Sequence, residues 1–205
     1  MLLVLALLLS GCTNAKIMTE DEIAADPRLA IVHQEFIRAV DDTHAHPTQT
    51  WHAGWLGNSI VNFWGGGQKG LCYHWQQQIY ALTRHRIESL GLAATGVMIN
   101  RGKGGEHHCV LVFDPRVIDE QNLLTQPMPR HGWVLDAWQR GEPDIYTLDE
   151  WHKLPAPLYR DWELQDLTNI ADLPGRRGSA TSGAPPPVRR LWESEAAPMP
   201  APAPK

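Results

Sequence analysis

GGGQKGLCYHWQQQIYALTRH, Gly65 to His85, sets three glycines and a lysine directly before a cysteine that heads an uninterrupted helical pattern. From Cys72 to Leu90 there is no Gly or Pro, Trp75, Ile79, Leu82 and Leu90 fall on one broad face, and Gly91 stops the run. This spacing predicts the central helix of a domain with Cys72 in its first turn. There the positive end of the helix dipole and the unbonded backbone N–H groups favour thiolate over thiol. Glycines in front of such a cysteine let another backbone approach closely and leave N–H groups free to hold an oxyanion.

Working outward, Asp26-Pro27 is an N-cap and first-turn signal, and Leu29, Val32, Phe36 and Val40 repeat at helical spacing, so a first helix is expected to about Val40. The polar run DDTHAHPTQ follows as a loop, then a mixed aromatic segment from Trp51 to Trp64 with a short helix from Asn58. Downstream, Ala94–Asn100 and His107–Phe113 read as strands joined through RGKGGE as a hairpin, and Gly132–Trp138 as a third strand. Thr147-Leu148-Asp149-Glu150 has capping-box form and starts one more short helix. Helices first and antiparallel strands after them predict an α+β fold, with the helices packed on one side of the sheet.

A cysteine nucleophile needs an imidazole, and the imidazole needs a third group to orient it. Strand alternation puts His108, Val110 and Val112 on one face and His107, Cys109, Leu111 and Phe113 on the other, so only one histidine can face the helix. Asp136 is the single acid in the apolar run WVLDAW, where burial demands a partner such as an imidazole.

Cysteine on a helix, histidine on a strand and aspartate on the next strand resemble the papain-like superfamily, most closely its transglutaminase-like branch, over Gly65 to Trp138. Gly70-Leu71-Cys72 matches the branch's Gly-x-Cys, His108 its strand-opening histidine, and Gly132-Trp133-Val134-Leu135-Asp136 its Gly-Trp-Val-x-x-Asp strand, one residue shorter. The resemblance implies Cys72 as nucleophile, His108 as base, Asp136 as its orienter and Gln68 as an oxyanion auxiliary. Cys-Val follows the histidine in place of the branch's Ala-Trp, and a strand turned by one residue makes His107 the base instead. The implied chemistry is cleavage or transfer of an amide bond through a thioester at Cys72, with a peptide or protein as substrate and no cofactor or metal.

At the N-terminus, residues 1–11 have the length of a signal-peptide apolar region, and Leu9-Ser10-Gly11-Cys12 resembles the bacterial lipobox, which implies a lipid anchor on Cys12. Thr13 after the cysteine implies the outer membrane, with the domain facing the periplasm and a cell-wall peptide as substrate. Residues 12–18 then read as a linker, 19–173 as the transglutaminase-like domain, and 174–205, rich in Pro, Ala, Gly and Ser, as a disordered tail. A net charge of -5 without a basic stripe argues against nucleic acid, and nine tryptophans suit a groove for an extended, flat or sugar-containing ligand.

Competing readings exist for each site residue. Cys72 and Cys109 could form a structural disulfide in an oxidising periplasm, leaving a non-catalytic envelope lipoprotein that binds through its tryptophan groove. Cys72, His74, His107 and His108 lack the paired spacing of zinc sites. Asp136 could pair with Arg84 or Arg86, His44 and His46 read as loop residues, and Trp75 as core.

Overall fold

A computed structural model describes residues 15–64, 68–103, 105–124, 132–153, 161–168 and 188–189. The apolar leader, Cys12, the three glycines before Gln68 and most of residues 174–205 lie outside the described residues. The elements run α1 (Glu20–Ala24), α2 (Pro27–His44), β1 (Thr50–Trp51), α3 (Gly54–Trp64), β2 (Gln68–Lys69), α4 (Cys72–Ser89), β3 (Ala93–Ile99) and β4 (His107–Phe113). A 3-10 turn (Glu120–Asn122), β5 (Gly132–Asp136), β6 (Asp144–Thr147), α5 (Leu148–Trp151), β7 (Trp162–Gln165) and β8 (Val188–Arg189) follow.

The sequence signals at helix starts are realised in side-chain contacts. The Asp26 carboxylate accepts from the N–H groups of Arg28 at 2.8 Å and Leu29 at 3.4 Å, with Pro27 in the first turn. Thr19 and Glu22 form a reciprocal capping box on α1, a helix not anticipated from the sequence. The second helix runs past Val40 to His44, because the polar DDTH supplies its last turn: Thr43 is buried and donates its hydroxyl to the Ala39 carbonyl at 2.6 Å. Residues 15–18 are no free linker. The Met18 N–H donates to the Ile145 carbonyl at 2.8 Å, and Ala15 and Ile17 pack against the core.

The predicted central helix forms within one residue of its expected bounds. It ends in a Schellman arrangement, with the N–H of Leu92 on the Ile87 carbonyl, the N–H of Gly91 on Glu88, and Gly91 at φ +72°. Its inner face carries Trp75, Ile79, Thr83 and Ile87, one turn apart and all buried. Fully burying a side chain such as Ile79 stabilises by about 1.5–3 kcal/mol.

The main sheet has the order β6-β5-β4-β3-β7, antiparallel throughout, with β8 on the β7 edge. Its centre is covered on both faces, which is why β4 is an almost continuous apolar run. Val110, Val112 and Leu135 meet α2 and α4 on one face; Leu111, Phe113 and Val134 meet Leu148, Trp151, Ile118 and Leu123 on the other. The fold is thus α+β with the long helices on one face, as expected. The third strand stops at Asp136 rather than Trp138, and β6 and β7 were not anticipated.

One contact fixes how α4 lies on the sheet. The buried Gln76 amide donates to the carbonyl of Cys109 at 2.7 Å and that of Val97 at 3.3 Å, residues paired across β3 and β4. Gly96 makes the room: a Cβ there would stand 2.8 Å from both Gln76 Nε2 and the Gln165 Cβ. Gly96→Ala is expected to destabilise the protein by about 1–3 kcal/mol through overpacking, read as a lower urea midpoint at unchanged m.

Candidate functional site

The candidate residues gather where the N-terminus of α4 meets the start of β4 and the end of β5. Cys72 is the first residue of α4 and only 6% exposed. Leu71, the N-cap, has no capping side chain; His74 Nδ1 instead accepts from the N–H groups of Leu71 at 3.3 Å and Gly70 at 3.4 Å. Acceptance requires a neutral ring. Burial, helped by nearby Lys69, lowers the His74 pKa to about 4, which holds it neutral.

The imidazole that meets Asp136 is that of His107. Its Nε2 lies 2.6 Å from Asp136 Oδ2, and both groups are buried. The carboxylate also accepts from the Trp138 N–H at 3.1 Å and from the Trp151 indole at 3.3 Å. Burial is the largest single influence on both groups and works against both charges, but the partner's charge and the hydrogen bonds together outweigh it: His107 is raised well above the ordinary histidine range, and Asp136 is lowered. The pair is therefore an imidazolium and a carboxylate. Trp138 and Trp151 enclose the ring, with centroids 4.9 and 5.7 Å from it. His107 Nδ1 is buried with no hydrogen-bond partner among the described residues.

His108, the base implied by the sequence resemblance, is not brought to Asp136. It points to the helix side, where Nε2 lies 2.6 Å from Glu106 Oε1, Nδ1 lies 3.1 Å from Gln165 Oε1, and the ring meets Tyr73. The reason is strand alternation: Asp136 follows Leu135, which pairs with Val110, so its carboxylate shares the face of Cys109 and His107. Neither Arg84 nor Arg86 approaches Asp136 in the ion pairs among the described residues.

Cys72 and Cys109 are both free thiols, so the alternative of a disulfide is not realised. Cys72 belongs to the helix-side core and Cys109 to the opposite one. Cys72 Sγ lies 3.8 Å from the Glu106 carbonyl, the residue before His107, and hydrogen-bonds neither histidine. Cys109 Sγ lies 3.4 Å from His107 Nε2, and complete burial beside Asp136 pushes its thiol strongly up, keeping it protonated.

Two indoles tie the neighbouring loops together. Trp138 Nε1 donates to the Gly70 carbonyl at 2.8 Å, linking the end of β5 to the turn before Cys72. Trp75, in the core as expected, donates to the His52 carbonyl at 2.7 Å, and His52 Nε2 meets Gln68 Oε1 at 2.6 Å. Gln68 is thus engaged by His52 on β2. His44 is no loop residue: it ends α2, meets the Gly141 carbonyl at 2.9 Å and packs edge-on against Trp75. The sequence did not single out Glu106 or the enclosing pair Trp138 and Trp151, although Trp138 stands at the i+2 position from Asp136.

His74 gives a pH test. Its folded pKa lies below the unfolded value, so between about 6.5 and about 4 the unfolded chain binds a proton that the folded chain refuses, and stability falls as pH falls. His74→Gln keeps an acceptor for the Leu71 N–H but does not titrate. Urea unfolding across this window should show the wild type losing up to about 3 kcal/mol relative to the variant. Parallel curves for the two proteins would contradict a neutral His74.

No family model, curated protein or solved structure matches the chain.

Proposed function

We propose that the protein is a thiol-dependent acyl-transfer enzyme that opens an amide bond of a peptide through a thioester on Cys72. The observation that carries this is the buried His107–Asp136 pair, whose one unpartnered ring nitrogen belongs to the residue next to the carbonyl touched by the Cys72 sulfur. A buried imidazolium N–H without an acceptor is costly. A sulfur that gives up its Glu106 contact and turns to Nδ1 removes that cost.

In the first step the sulfur, its thiol proton given up to solvent, attacks the substrate carbonyl carbon as a thiolate and forms the C–S bond beside the proton that the imidazolium already carries on Nδ1. The same proton passes to the departing amine as the C–N bond breaks. Asp136 holds Nε2–H throughout and balances the ring's positive charge. With the N–H groups of Gly70 and Leu71 held by His74, those of Cys72 and Tyr73 in the first turn of α4 are the donors for the developing oxyanion. Water then attacks the thioester, giving hydrolysis; an amine in its place gives cross-linking. His107 takes the role of base, and His108 holds Glu106 in place. The lipobox-like Cys12 supports an envelope location with a cell-wall peptide as substrate. Cys12 stands six positions before the pinned Met18, so a lipid there holds the domain within about 20 Å of the bilayer surface.

A second reading, a binding lipoprotein without turnover, is favoured by α3. This helix has no charged residue and exposes Trp55, Leu56 and Phe63 by 72%, 74% and 81%. The Trp55 ring meets Trp138, which packs on His107, so the apolar surface continues to the site.

Acylation with p-nitrophenyl acetate, followed by intact-mass measurement, separates the two. The wild type should carry a transient acetyl group that Cys72→Ala lacks. His107→Ala should slow its formation by about 100-fold or more, and His108→Gln should retain it. An unreactive Cys72 sinks the enzyme; a loss confined to His108→Gln returns the base to His108.

A further inference from the structure

His107, Cys109 and Asp136 also form a constellation that acyl transfer does not use in full. Their ligand atoms lie within 4.8 Å of one another, and all three residues are buried. Two alternate along β4 and the third stands on the adjacent β5, so both elements that carry them are rigid, hydrogen-bonded strands. We propose that His107 Nε2, Cys109 Sγ and Asp136 Oδ2 form a binding site for a borderline-soft divalent cation of the zinc class. The proposal does not depend on Cys72 and is tested apart from the thioester chemistry, although metal and acyl transfer use the His107–Asp136 pair in turn and not together.

The donor set selects the ion. One imidazole nitrogen, one sulfur and one carboxylate oxygen suit zinc, whereas magnesium and calcium take oxygen alone. The charges also balance. A divalent cation with one thiolate, one carboxylate and a neutral imidazole sums to zero, which is what a buried setting tolerates. Binding replaces the proton on His107 Nε2 and the thiol proton of Cys109, both released to solvent, and exchanges the His107–Asp136 hydrogen bond for metal–ligand bonds. The ring then keeps its proton on Nδ1. The Trp138 N–H and the Trp151 indole already orient the Asp136 carboxylate, as the partners of metal-bound carboxylates do.

This site differs from the grouping suggested by sequence proximity alone. Cys72 and His74 take no part, and His108 is turned to the other face and held by Glu106 and Gln165.

Cobalt(II) serves as the spectroscopic probe on the full chain, both added to the folded protein and present during refolding from denaturant, so that the buried site is offered metal by either route. The expected result is a stoichiometric near-ultraviolet thiolate-to-cobalt band that zinc displaces. It should be lost in Cys109→Ser and Cys109→Ala, strongly weakened in His107→Ala, and unchanged in Cys12→Ala, Cys72→Ala and His108→Gln. No band by either route overturns the site, as does a band that survives both Cys109 variants or follows Cys12 or Cys72. Because Cys72→Ala keeps the metal band while losing the acetyl adduct, failure of the metal site and failure of the acyl-transfer chemistry are read separately.

Discussion

The amide of Gln76 is the contact on which the positions of the other groups depend. Its buried N–H group reaches two carbonyls that face each other across β3 and β4, while its Oε1 has no partner among the described residues. Gly96 leaves the room for that reach, since a Cβ there would stand 2.8 Å from Gln76 Nε2. The bond fixes α4 along the direction of the strands. Cys72 is one turn before Gln76 on the helix, and His107 is two residues before Cys109 on the strand. The separation of sulfur and imidazole is therefore inherited from a clamp that touches neither.

Around this frame the charges are sorted by face. His107 and Asp136 sit among tryptophans where an unpaired charge would be severely disfavoured, and each makes the other's ionised form the stable one. His108 and Glu106 make a second pair on the helix side, where Glu106 keeps partial contact with solvent and is held below the usual carboxylate range by His108. The Cys72 thiol lies at the junction of the two, on the backbone of Glu106. The sulfur touches the backbone just before both histidines and is hydrogen-bonded to neither.

Much of this was legible in local sequence. The bounds of α4, the His107–Phe113 strand, the Asp26 cap and the demand of Asp136 for an imidazole all follow from periodicity, capping chemistry and the cost of burying a lone acid. The choice of histidine was not, because alternation says that His107 and His108 face opposite ways without saying which face receives the carboxylate. That depends on the β4–β5 pairing, a long-range fact, as does Gln165 approaching His108 from far along the chain. The start of α3 was hidden for another reason. Gly54 at φ +62° is a poor helix signal, yet its N–H bonds the Trp138 carbonyl, and a side chain there would stand 2.9 Å from the Gln139 oxygen. Tertiary fit, not propensity, sets that boundary. The strand β7, WELQ, lacks the β-branched run that marks a strand from sequence and is held by its neighbour β3.

Two adjacent histidines with two different carboxylates also constrain how this chain can change in length. Inserting or deleting a single residue within β4 turns every following side chain to the opposite face. Because His107 and His108 open the strand, such a change sets them out of phase with Val110 and Val112, so either the histidines or the core residues face the wrong side. A change of two residues would restore the faces while shifting the partners by one pleat. Parity, more than side-chain identity alone, is what natural variation in this hairpin has to respect. Residues 100–103 and 105–106, outside the β3–β4 ladder, are where single-residue length changes can be absorbed.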